Sequence, residues 1–311
     1  MNEDVVAPWG GPELAGHISA AAHRIEDTLQ SYAPYLAPMV LQWFRSVSPG
    51  GEIANYFLHE RRFPMLLLPW WLSRSLGTQA DQRFHRDLAY STISGYSAIR
   101  LLDDALDAGT CRIDRLPACL ILQAEFQATL NQYFRAGHPF WEVFRRQWYG
   151  SADFAPDHVG TRDFERRTER RLGPALIPLA AVAWHAERPD GLDPWARLLA
   201  RLARLEQLLD DLTDWLIDHQ RDAPNAVLAL YRSRAKAGEP LETWMLRDGL
   251  DQGFALADGY LREVIQIANP LGSSDVNDFL DRRGSMLKTL RAEVEPGLQE
   301  LERLRQSFYL P

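Results

Sequence analysis

Cysteine is scarce: Cys111 and Cys119 are the only two in 311 residues, both near one loop. That number excludes a disulfide scaffold. His59, His85, His185 and His219 lack paired metal spacing, so no zinc site is indicated. No run of Lys or Arg forms a nucleic-acid arm, and a net charge of -8 with a pI near 5.5 argues against a nucleic-acid surface. The N-terminal residues lack the basic start and apolar core of a signal peptide. The apolar run over 63–72 is too short to span a bilayer and holds two prolines, so no transmembrane segment is expected. No stretch alternates with period two between hairpin signals. A cytoplasmic protein is the expectation.

What is present is helical sequence. The chain is 46% hydrophobic, ample for a packed core. Residues through Leu14 read as a loose arm. Apolar residues at helical spacing over 15–48 form two helices joined near Tyr35, before the Pro49-Gly50-Gly51 break. One helix over 52–76 is expected to bend at Pro64 and Pro69. A long segment over 81–107 closes at Gly109. Asp114 reads as the N-cap of a helix reaching Phe134, and an aromatic-rich helix covers 140–149. Residues 161–185 form a helix broken near Gly173-Pro174. Asp193-Pro194 opens the next, which ends near Pro224. Helices over 226–237, 240–268 and 274–308 complete the chain. Short connections favour antiparallel neighbours, so the reading is all-α: a single-domain antiparallel bundle of about ten helices over residues 1–311.

Two stretches repeat one plan. Leu102-Asp103-Asp104-Ala105-Leu106-Asp107 and Leu209-Asp210-Asp211-Leu212-Thr213-Asp214 both spell D-D-x-x-D. On a helix turning about 100° per residue, the outer aspartates of each motif lie about 40° apart, one turn along the axis. Like charges at this spacing weaken an isolated helix. A hard divalent cation reverses the sign: Mg²⁺ takes carboxylate oxygens and completes its octahedron with water and phosphate. A solvated acidic patch is the plain alternative. The leucines flanking both motifs make each helix core-bound and favour a paired metal site.

These motifs resemble those of the class I isoprenoid (terpenoid) synthase superfamily, nearest its trans-isoprenyl diphosphate synthase branch. Gln207-Leu208-Leu209-Asp210-Asp211-Leu212-Thr213-Asp214 is similar to that branch's Q-x-x-D-D-x-x-D. Asp103 to Asp107, followed by Arg112 and Pro117, resembles its D-D-x-x-D-x-x-x-x-R-R-x-x-P. Glu60-Arg61-Arg62-Phe63-Pro64 is similar to its basic G-K-R-x-R-P element. Arg170 or Arg171 falls where the branch places a diphosphate-contacting Lys. The resemblance spans about residues 55–225, and its specific part is the two acidic motifs.

It implies helices around a central apolar cavity with both acidic motifs at its mouth. Three Mg²⁺ would bridge them to a prenyl diphosphate, and an allylic cation would form among aromatic walls. Asp103, Asp104, Asp107, Asp210, Asp211 and Asp214 are the implied catalytic metal ligands, with Asp218 one turn further. Gln207 holds a metal water or a carboxylate in this reading. Arg61, Arg62, Arg100, Arg112, Arg170 and Arg171 are the diphosphate candidates, with a surface or salt-bridge role as the alternative for each. Arg305 and Tyr309 resemble a terpene cyclase Arg-Tyr pair. Tyr96, Phe57, Trp70, Phe126 and Trp184 are candidate cavity walls, or plain core.

Three departures touch the second-substrate site of chain-elongating members. Ile113 follows Arg112, Glu60 enters the basic element, and Glu206 replaces an aromatic. They favour a Mg²⁺-dependent terpene synthase or cyclase acting on one linear prenyl diphosphate, although the cyclase signature N-D-x-x-S-x-x-x-E is absent. A prenyltransferase, by chain elongation or head-to-head condensation, is the alternative, and a catalytically silent partner subunit a third reading. The expected partners are the prenyl diphosphate and, as an option, a second copy of the chain.

Overall fold

A computed structural model describes residues 10–59, 62–106, 113–153 and 161–308. Every regular element among the described residues is helical. The first seven helices are α1 (Gly11–Tyr32), α2 (Ala37–Val47), α3 (Ile53–Leu58), α4 (Leu67–Leu76), α5 (Gln82–Leu106), α6 (Leu116–Asn131) and α7 (Phe140–Ala152). The rest are α8 (Thr161–Arg171), α9 (Leu176–His185), α10 (Leu192–Gln220), α11 (Ala226–Arg234), α12 (Leu241–Trp244), α13 (Leu250–Ala268) and α14 (Ser274–Phe308). No described helix is long and apolar enough to cross a membrane.

The sequence reading misplaces several boundaries. Leu14 belongs to the core of α1, not to an arm, because Pro12 suits a first helical turn. The helix expected over 52–76 is two, α3 and α4, with Pro64 between them. Proline has no N–H to donate and clashes with the carbonyl four residues back. Pro69 falls in the first turn of α4, where it is tolerated. Asp114 lies in a 3-10 turn, Ile113–Arg115, and α6 starts after it. The helix expected over 240–268 passes through a π-turn, Met245–Gly249. Gly249 suits that turn, since a Cβ there would meet the Trp244 ring at 2.6 Å.

The chain packs as two compact units: Met1–Tyr149 with Pro174–Trp195, and Gly150–Gly173 with Ala196–Pro311. In the first, α5 is flanked by α1 and α6. Arg24 Nη1 donates to Asp87 Oδ1 at 2.7 Å, and Thr28 shares a hydrogen bond with Tyr90, tying α1 to α5. On the α6 side, Ser91 Oγ donates to the Phe126 carbonyl, and the Phe126 ring lies against Gly95. A Cβ at Gly95 would meet that ring at 2.9 Å, so only glycine allows this approach. Helix α9 is buried from Ile177 through Ala183 and packs on α4. Its apolar sequence all round suits a helix enclosed on every side.

In the second unit α10 is the spine. Leu198, Leu202, Leu205, Leu208 and Leu212 bury one stripe at helical spacing. Leu212 lies against Gly253 of α13, where a Cβ would come within 2.5 Å of its Cδ2. Arg204, nearly buried, reaches α8 through Glu165 at 2.8 Å and Glu169 at 2.5 Å. Tyr260 of α13 donates to Glu165. Arg283 of α14 lies 2.9 Å from Glu206.

Candidate functional site

The first acidic turn ends α5. Asp104 is held on both oxygens: Trp43 Nε1 donates to Oδ2 at 2.8 Å, and Arg100 Nε lies 3.2 Å from Oδ1. Asp103 is half-buried beside it. Asp107, Arg61 and Arg112 lie outside the described residues.

Below this turn, Trp43 and Arg100 also line a cavity of about 220 Å³, together with residues of α2, α3 and α5. Tyr96 is among them, its hydroxyl hydrogen-bonded to that of Tyr56. Burial pushes the Tyr96 phenol well above its ordinary value, with Tyr56 adding to the shift. The guanidinium of Arg62 lies 4.5 Å over the Tyr56 ring. Of the other expected aromatic walls, Phe57 lines this cavity. Trp70 packs instead against His17 and His85, Phe126 against Phe144 and Trp148, and Trp184 against His138.

The second acidic turn is central in α10, and its aspartates divide by facing. Asp210 and Asp214 are exposed, while Asp211 is 3% exposed. Asp211 Oδ2 accepts from the Ala226 N–H at 2.7 Å and Oδ1 from Gln207 Nε2 at 2.9 Å. Gln207 therefore holds a carboxylate. Asn225 completes the arrangement. Its Nδ2 donates to the Asp211 carbonyl and to Asp218 Oδ2, and its Oδ1 caps α11 by accepting from Val227 and Leu228. Burial pushes the Asp211 carboxyl up to about 6, against the lowering by the Ala226 N–H and Gln207. Asp218 is half-buried and shares its oxygen with Asn225.

Arg170 and Arg171 are exposed at the end of α8, which Arg204 anchors to α10. Tyr309 lies outside the described residues. Sequence reading missed Trp43, Tyr56 and Asn225. Asn225 had a signal, an N-cap residue type directly before Ala226. Trp43 had none, because its partner is 61 residues away.

The donor set is carboxylate oxygen, which suits Mg²⁺ rather than a soft metal. Among the described residues no three His, Cys, Asp or Glu side chains group closely enough to hold a metal ion by themselves.

No family model and no curated protein matches the chain. Solved structures do. Farnesyl diphosphate synthase from T. brucei, in complex with a substituted piperidin-4-amine, superposes with a TM-score of 0.64 at 12% identity, covering 86% of this chain and 98% of that one. The same enzyme with risedronate gives 0.64 at 11% identity, over 86% and 97%. A geranyltransferase from Helicobacter pylori gives 0.55 at 15% identity, over 89% and 98%. The chain has the fold of the trans-isoprenyl diphosphate synthases.

Proposed function

We propose that the chain is a Mg²⁺-dependent prenyltransferase, which ionises an allylic prenyl diphosphate and passes its prenyl group to an acceptor. One observation carries this reading: two D-D-x-x-D motifs, with Asp103 and Asp104 of the first and all three aspartates of the second on long helices, in a fold shared with farnesyl diphosphate synthase over nearly all of that enzyme's length. Asp103, Asp107, Asp210 and Asp214 would hold the metal, three ions in this reading. When bound, Mg²⁺ supplies Lewis-acid stabilisation of the departing diphosphate.

The chain's own residues do the rest. Trp43 and Arg100 hold both oxygens of the Asp104 carboxylate, so in this reading Asp104 orients the first turn and Asp103 takes the ion. Asp211 serves as a positioning residue: it ties α10 to the start of α11 while Asp210 and Asp214 face solvent. Arg170 and Arg171 bind the diphosphate, as bidentate guanidinium donors suit phosphate oxygens.

A second reading, cyclisation of a single prenyl diphosphate, is favoured by Glu60 and Ile113 replacing expected basic positions. Geranyl, farnesyl and geranylgeranyl diphosphates with Mg²⁺, with and without isopentenyl diphosphate, separate the readings by mass spectrometry. Products needing an added acceptor support transfer. Hydrocarbon or terpene alcohol from one substrate alone supports cyclisation. No pyrophosphate release from any of them overturns both.

A further inference from the structure

Glu206 stands one helical turn before Asp210 on α10. At that spacing two side chains leave a helix about 40° apart, with Cβ atoms about 6 Å from each other. The Glu206 side chain is 16% exposed and lies 2.9 Å from the guanidinium of Arg283 on α14, itself 2% exposed. Both residues belong to the second unit. Arg283 is held along its own helix. Its guanidinium carbon lies 4.9 Å over the Phe279 ring, and Nη1 donates to Met286 Sδ at 3.5 Å. A guanidinium keeps its charge in a protein. Burial pushes the Glu206 carboxyl up to about 7, Arg283 draws it down, and Asp210 adds to the rise. Glu206 and Asp210 therefore feel each other's charge.

Stability alone gives no reason for this pair. Taking two charges out of water costs as much as their attraction returns unless the geometry is excellent, and an apolar pair of similar volume is often as stable. The direction of the pair has a consequence at the acidic turn. Its negative end is on the helix that carries Asp210 and Asp214, and its positive end is on another helix. Glu206, Asp210 and Asp214 follow one another at intervals of four residues, so the Glu206 carboxylate extends the acidic stripe by one turn. Alone, it would meet Asp210 as a poorly solvated like charge. Arg283 offsets that repulsion and keeps a third carboxylate ionised beside the two exposed ones.

We propose that Glu206 and Arg283 are positioning residues for the second acidic turn: an ion pair whose carboxylate, set one turn before Asp210, strengthens divalent-cation binding by Asp210 and Asp214. The inference rests on the metal role given to those two aspartates in the prenyl-transfer reading. A pair with a packing role only would serve as well when reversed or replaced by apolar side chains. A pair acting through its charge would not, because a doubly charged ion responds to the sign of the nearer end.

The test titrates Mn²⁺ into the full chain at pH 8, with the free ion read by electron paramagnetic resonance. Mn²⁺ takes the same oxygen ligands as Mg²⁺, and Asp210→Asn identifies the binding that belongs to the second turn. Glu206→Gln removes the carboxylate, keeps the guanidinium, and should weaken that binding by about tenfold or more. The exchange Glu206→Arg with Arg283→Glu should weaken it further, although a pair is restored. Glu206→Leu with Arg283→Met removes both charges and should cost only about two- to fivefold. Thermal melts check that each variant folds, and the apolar pair should melt within a few degrees of wild type. If Glu206→Gln or the exchange does not fold, the apolar pair carries the test: binding as tight as wild type overturns the proposal. An apolar pair that does not fold marks the ion pair as structural and overturns it too. So does wild-type binding in folded Glu206→Gln or in the folded exchange. Wild type that binds no Mn²⁺, or binds it equally after Asp210→Asn, overturns the metal role of the second turn and this inference with it. Asp210-dependent binding that ignores these charges overturns the inference alone.

Discussion

Asn225 joins the second acidic helix to the next element, and its removal separates two roles. The side chain is 1% exposed and makes four hydrogen bonds. Asn225→Ala removes the α11 cap, about 1 kcal/mol. It also strips the donor from the Asp211 carbonyl and from Asp218, adding about 1–2 kcal/mol for groups with little access to water. The expected loss is about 2–3 kcal/mol in urea denaturation followed by circular dichroism. Asn225→Asp sharpens the test, because its carboxylate keeps the cap but turns an oxygen toward Asp218 Oδ2, now 2.8 Å from an amide. At pH 7 it should lose at least as much stability as Asn225→Ala, and recover part of it near pH 4 as the carboxyls protonate. Wild-type stability of Asn225→Asp at pH 7 would refute the donor role. So would equal stability of Asn225→Ser and wild type, since serine keeps only the cap.

Other consequences follow from the packing. Gly95→Ala should destabilise by about 1–2 kcal/mol, since overpacking against Phe126 outweighs the gain of alanine in a helix. Gly16→Ala in α1, where a Cβ meets nothing within 4 Å, should gain up to about 1 kcal/mol in the same melts. Burial holds His17 and His85 below the ordinary imidazole value. At these two sites the unfolded chain binds more protons below pH 6.5, so their contribution to stability falls as pH drops from 7 to 5. That is opposite in sign to the contribution of Asp211 and Glu206, whose raised carboxyls take up protons in the fold; the slope of His17→Phe should differ from wild type by the lost histidine contribution. Trp43→Phe keeps a ring in the wall but removes the N–H on Asp104. It should raise the Mg²⁺ concentration needed for half-maximal pyrophosphate binding while leaving the melting temperature within a few degrees, roughly 1 kcal/mol of stability. An unchanged Mg²⁺ requirement would leave that bond a structural one.

How far the sequence carried the reading depends on the range of each interaction. Helical periodicity is local, so the all-α class and the leucine stripe around Asp210 and Asp211 were legible. So was the break at Pro49-Gly50-Gly51. Breaks set by tertiary fit were not. Pro64 looked able to bend a helix and in fact separates α3 from α4, and the π-turn at Gly249 answers to a Trp244 ring that periodicity does not see. Within the second motif, spacing put three carboxylates on one side of one turn. The structure turns Asp211 inward, because Ala226 and Gln207 offer it hydrogen bonds. Trp43 was invisible in principle: an indole N–H on a carboxylate 61 residues away leaves no mark on spacing. Arg100 was read as either a diphosphate ligand or a neutralising partner, and the 3.2 Å approach to Asp104 supports the second role.

The most direct measurement is pyrophosphate release from farnesyl and geranylgeranyl diphosphate by the wild type, Asp103→Asn and Asp210→Asn, with Mg²⁺ and with chelator. Release should require Mg²⁺, and each substitution should lower it by about 100-fold or more while the fold is kept. Variants that release pyrophosphate at the wild-type rate, or release that survives chelation, would contradict the account.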